Sequence, residues 1–67
     1  MTFEKEGEYQ LSPRVRLQRG DLVHVSHLGK CTFIALVTND AGDQWADVYK
    51  QGYRSVKLDR LKRRLKK

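Results

Sequence analysis

The chain has little of what small proteins use as staples: one cysteine, one proline and one tryptophan in 67 residues. A lone Cys31 excludes an intrachain disulfide, and with it the cross-linked scaffolds of many small secreted domains. No apolar run approaches the ~20 residues that a membrane-spanning helix needs. Glu4, Glu6 and Glu8 stand where a secretory signal would carry a basic region and an apolar stretch. A soluble, cytoplasmic protein of a bacterium or phage is therefore expected. The five glycines never fall at phosphate-loop spacing, so neither a nucleotide site nor a cofactor is expected.

A metal set is missing too. His24, His27 and Cys31 are the only candidate nitrogen and sulfur ligands, and no second cysteine or nearby carboxylate completes a tetrahedral site. On a strand, positions three apart point to opposite faces. The same three residues lack an orienting group that would make a Cys–His nucleophile. The expectation is a protein without metal and without catalysis.

Positive charge is what the sequence does have. Residues 54–67 hold eight Lys or Arg and one acid, a local +7 in a chain of formal charge +6. A basic excess gathered at one end creates a field that attracts polyanions or acidic protein faces. Sixty-seven residues form one domain at most, and such a domain buries only about 60% of its unfolded surface.

The periodicity of two predicts strands. Val15 and Leu17 alternate with arginines, and after an Arg19-Gly20-Asp21 turn Val23 and Val25 alternate with His24 and Ser26. Cys31 to Thr38 is an apolar, β-branched run with Phe33, Ala35 and Val37 on one face and Ile34 and Leu36 on the other. Asn39 to Asp43 reads as a polar hairpin loop, Gln44 to Lys50 as a strand, Gln51-Gly52 as a turn, and Tyr53 to Leu58 as the last long strand. Leu58, Leu61 and Leu65 follow helical spacing, which predicts a short 3-10 or α-helical turn displaying its cations. Three segments are expected: an acidic arm over 1–13, a barrel over 14–61 and a basic tail over 62–67.

The order Gly20-Asp21-x-Val23-x-Val25, a turn with Gly29, an apolar strand ending at Val37, a strand with Val48, and Val56-x-Leu58-Asp59-x-Leu61 resembles SH3-like small barrels of the Tudor and KOW type. The resemblance spans about residues 19–61. It implies an all-β barrel of about five strands whose relatives serve as nucleic-acid binders, peptide binders or docking subunits. The plasmid-borne dihydrofolate reductases built on this barrel are similar in layout and carry a Val-Gln-Ile-Tyr segment on a late strand. Here the segment is Val56-Lys57-Leu58-Asp59, without the Gln and Tyr that serve that chemistry.

The expected function is a non-enzymatic nucleic-acid-binding module of low sequence specificity, with DNA preferred to RNA. Arg54, Lys57, Arg60, Lys62, Arg63 and Arg64, helped by Arg14 and Arg16, are the candidate phosphate contacts. Trp45, Tyr49 and Tyr53 are the candidate stacking residues, and Lys66 and Lys67 would steer the approach. The alternative is a docking module presenting its basic face to an acidic protein, with a homo-oligomer as a further possibility.

Overall fold

The computed structural model describes residues 3–65. The chain runs through β1 (Glu4–Glu6), β2 (Glu8–Ser12), β3 (Val15–Gln18), β4 (Leu22–Val25), β5 (Gly29–Thr38), β6 (Gln44–Tyr49), β7 (Tyr53–Lys57), a 3-10 turn (Leu58–Arg60) and β8 (Leu61–Arg64). Every ladder is antiparallel. The larger sheet has the order β7-β6-β5-β4-β8, and β2 and β3 form a two-stranded sheet of their own. Strand β5 pairs with β6 along one edge; its other edge takes β4 over Gly29–Thr32 and β1 over Leu36–Thr38. No ladder joins β7 to β8 among the described residues, so the sheet is not a closed barrel.

The core follows from alternation. Leu17 of β3, Val23 and Val25 of β4, Cys31 and Phe33 of β5, Ala46 and Val48 of β6 and Leu61 of β8 form one buried cluster. Burying a residue such as Phe33 contributes about 1.5–3 kcal/mol. The β2–β3 hairpin closes this cluster, with Tyr9, Leu11 and Val15 packed around the fully buried Leu17.

Both ends of the chain take defined places, and the expected 3-10 turn is present. Residues 4–6 and 8–12 are strands with defined partners, so most of the acidic segment is built into the fold. At the other end only Leu58–Arg60 is helical, and Leu61–Arg64 pairs with β4 as a strand. The β4–β8 ladder is irregular at Lys62, so that Leu61 stands opposite the core residue Val25, Arg63 opposite His24 and Arg64 opposite Val23. The edge offered by β4 decides between helix and strand, since each backbone bond made there satisfies a group that a frayed helix end would leave open. The ladder continues as the Leu65 N–H donates to the Leu22 carbonyl at 2.8 Å.

A bulge divides β5. Phe33 stands opposite Val48, but Ala35 stands opposite Asp47, so Ile34 is the additional residue. Cys31 and Phe33 therefore face the main core, whereas Ala35 and Val37, also buried, lie outside that cluster. Val37 instead floors a shallow depression walled by Phe3, Lys5, Trp45, Asp47 and Ser55. Beyond the bulge Leu36, opposite Ala46, packs against the main core. Arg19 secures the stretch between β4 and β1: its Nε donates to the Ile34 carbonyl at 3.1 Å and its backbone N–H to Gly7 at 2.8 Å.

The β4–β5 connection sets the register on which the site depends. Val25 pairs with Gly29 around Ser26-His27-Leu28, with His27 at φ 71° and Gly29 at φ 81°. Left-handed backbone suits glycine, which has no Cβ to clash with the carbonyl. The Lys50 ammonium closes this corner by donating to the Leu28 carbonyl.

Candidate nucleic-acid interface

Residues directly opposite each other in an antiparallel ladder carry their Cβ atoms about 4.5–5.5 Å apart on one face. On the outer face of the larger sheet, Arg63 stands opposite His24, and His24 opposite Lys30. This is a row of basic side chains across β8, β4 and β5. Two residues along, and so about 7 Å away on the same face, runs a second row: Leu22, Thr32, Tyr49 and Tyr53. The core residues Val23, Val25, Cys31 and Phe33 lie behind these rows.

The two tyrosines are held edge to face, with ring centroids 5.2 Å apart and planes at 78°. Tyr53 is 77% exposed and Tyr49 46%, so both present ring surface to solvent. They close the β6–β7 hairpin as a cross-strand pair, and Gln51 and Gly52 at the tip adopt positive φ.

Trp45 belongs to a different place. It lies with Asp47 and Tyr49 on the outer side of β6, but in a row formed with Lys5, Val37 and Lys57. Phe3 meets it edge-on at 5.9 Å, leaving Trp45 half-buried. Asp47 separates Trp45 from the tyrosines; it accepts a hydrogen bond from Ser55 Oγ at 3.1 Å and lies 3.8 Å from Lys5 Nζ. With Lys5 and Lys57 in the same row, the Trp45 end of the face carries charge of both signs, whereas the Arg63–His24–Lys30 row has no carboxylate in register.

The basic residues divide by what they hold. Arg16 pairs with Glu8 at 2.6 Å, and Arg54 Nε donates to the Lys50 carbonyl at 3.2 Å. Together with Arg19, Lys5 and Lys50, these side chains already have partners inside the fold. Within the described residues, Lys30, Lys57, Arg60, Lys62, Arg63 and Arg64 have no side-chain partner, and all are exposed. Four of these six follow one another through the 3-10 turn and β8.

The expected site residues are thus dispersed. Arg60, Lys62, Arg63 and Arg64 are neighbours, and Arg63 shares a face with Tyr49 and Tyr53. Lys57 stands opposite Trp45, at the far end of β7 from Tyr53. Arg54 points to the other side of β7 from its tyrosine neighbour, in register with Val48. Arg16 lies on the separate sheet, and Arg14 lies in the β2–β3 turn rather than on a strand face with it. Lys66 and Lys67 fall outside the described residues.

Lys30 and His24 were not among the expected contacts, although both belong to the basic row. The signal was present: His24 alternates with two core valines, and a three-residue loop pairing Val25 with Gly29 brings Lys30 opposite it. His24 and Cys31 lie on opposite faces, His24 in the outer row and Cys31 in the core. Among the described residues no group of three His, Cys, Asp or Glu is placed to hold a metal ion, and no helix is long and apolar enough to cross a membrane. Compared with protein families, with curated proteins and with solved structures, the chain matches none.

Proposed function

We propose that this chain is a non-enzymatic nucleic-acid-binding module built on an SH3-like small barrel, acting in a cytoplasm. The fold reading is supported by the strand order β7-β6-β5-β4-β8, with a 3-10 turn linking β7 to β8 and β4 lying between β5 and β8. The observation that carries the function is the segregation of the cations. Arg16, Arg19, Arg54, Lys5 and Lys50 are engaged by the fold, while Arg60, Lys62 and Arg64 are exposed and without partners along the β8 edge, next to Arg63 and Lys30 on the outer face.

Side chains of this kind neutralise phosphates and release condensed counterions, which supplies affinity without reading sequence. No helix longer than the three-residue turn is present among the described residues, so nothing helical enters a major groove. Contacts made chiefly to phosphate give low sequence specificity, and DNA is the proposed target.

Titration of labelled oligonucleotides at several salt concentrations tests the reading. Neutralising about four phosphates gives a log–log slope of roughly −3 to −4, and joint replacement of Lys62, Arg63 and Arg64 by Ala should flatten it. Absence of binding at low salt overturns the reading and leaves an acidic protein as the partner for the same cations.

A further inference from the structure

We infer that the ligand of this face is single-stranded nucleic acid, its backbone following the Arg63–His24–Lys30 row and an unpaired base stacking on Tyr53. The inference rests on the nucleic-acid reading above and narrows it.

The argument begins with the tyrosines. An edge-to-face pair occupies at most one of its four ring faces with the partner's edge, and Tyr53, 77% exposed, keeps ring surface open to solvent. An open aromatic face beside a cationic row is of use to a ligand that offers flat rings as well as phosphates. In a duplex the base faces are covered by their neighbours in the stack; in a single strand they are free.

The dimensions agree. Arg63 and Lys30 are two strand spacings apart, about 10 Å; Tyr49 and Tyr53 lie one and two strands beyond Lys30 and about 7 Å along, which puts Tyr53 about 12 Å from Lys30 and about 20 Å from Arg63. Cations and aromatic rings therefore lie within the reach of a few nucleotides, the lower end of the site sizes used by small single-strand binders. The row also mixes residue types suited to a flexible strand: two full charges for phosphate, an imidazole between them, and Thr32 beside the rings.

The remainder of the fold argues in the same direction. A two-stranded ribbon can enter a major groove, and β2–β3 is such a ribbon. Its Arg16, however, is paired with Glu8 on the same hairpin, so it presents a carboxylate together with its cation.

The test compares a labelled oligothymidylate of about 12 nucleotides with a mixed-sequence duplex of the same length, at low salt, by fluorescence anisotropy. The single strand is expected to bind at least tenfold more tightly. Tyr53→Ala should weaken it by roughly 5- to 150-fold, the contribution of one stacked base, and leave duplex binding unchanged; Tyr53→Phe should restore it. Because Tyr53 contributes little to the core, an unchanged circular dichroism melt confirms that each variant is folded. Equal or tighter duplex binding, or no effect of Tyr53→Ala, overturns the single-strand inference. If Lys30→Ala and Arg63→Ala still weaken binding in that case, the basic surface stands without the stacking platform. If neither oligonucleotide binds at all, the nucleic-acid reading itself fails.

Discussion

Arg63 on the edge strand β8 stands directly opposite His24, and His24 directly opposite Lys30. Two full positive charges thus lie about two strand spacings apart with only an imidazole between them. Exposed like charges about 10 Å apart repel weakly at low salt and are largely screened near physiological ionic strength. At low salt the fold therefore carries a small electrostatic cost at the very position where a polyanion would relieve it.

That cost predicts opposite effects on stability and binding. At low salt Lys30→Thr should raise stability by a few tenths of a kcal/mol, since it removes that weak repulsion and places a β-branched residue on an exposed strand position. The same variant should bind oligonucleotides more weakly and with a shallower salt slope, by about one counterion. Urea denaturation together with salt-dependent titration would check both. A Lys30→Thr protein that is less stable and binds unchanged would contradict the assignment of this row.

Arg19 should behave in the reverse way. Its Nε serves the Ile34 carbonyl at the bulge, so Arg19→Ala should lower stability by about 0.5–1.5 kcal/mol. Oligonucleotide affinity, measured where the variant is fully folded, should change only as far as the loss of one remote charge explains. Paired with Arg63→Ala, which should weaken binding and leave the melt in place, it separates structural from free cations.

Leu17 is the strongest test of the two-stranded sheet. It is fully buried, and large-to-small changes at such positions cost about 2–5 kcal/mol. A domain of this size commands only about 3–5 kcal/mol in total. Leu17→Ala should thus be largely unfolded at 37 °C by circular dichroism, and removal of residues 1–18 should abolish folding. A cooperative melt from the truncated chain would show that β4 to β8 suffice.

Gly29 offers a backbone test. At φ 81° a side chain is strained by about 1–2 kcal/mol, although a Cβ built there has room, its nearest neighbour being Lys50 Nζ at 3.6 Å. Gly29→Ala should accordingly lower the denaturation midpoint without altering the cooperativity of the transition. Gly29→Asn, better suited to left-handed backbone, should recover part of the loss.

Much of the all-β architecture was legible in the sequence. Val23 and Val25, the run from Cys31 to Thr38, and the turn residues Asn39 to Asp43 each combine alternation with turn chemistry, and both signals are local. The Asn39 side chain accepts bonds from the Ala41 and Asp43 amides, which is why the loop closes where Asn and Asp occur. Strand β1 was not legible, because Glu4 and Glu6 are exposed; β2 does alternate, Tyr9 and Leu11 turning to the core between Glu8 and Gln10, but so short a signal beside three acids does not show which edge it joins. They are strands because β5 and β3 offer them edges. At the end of the chain the expected 3-10 turn is present at Leu58–Arg60, whereas the pairing of Leu61–Arg64 with β4 was not legible, because the irregularity at Lys62 breaks the alternation. The candidate surface was half legible: Tyr49, Tyr53 and Arg63 could be named from composition and spacing. Their union with His24 and Lys30 depends on cross-strand register, which no single segment encodes.

The additional residue in β5 makes the domain unequally tolerant of two kinds of change. Because Ile34 stands outside the pairing, its removal would leave the faces beyond it unchanged, with Ala35 still opposite Asp47 and Leu36 still opposite Ala46. Such a deletion would forfeit the bend and the carbonyl that Arg19 holds. One residue added to the paired stretch from Ala35 to Val37 would instead reverse every face that follows it. Related chains should consequently vary more freely at position 34, in identity and in presence, than in the length of that paired stretch.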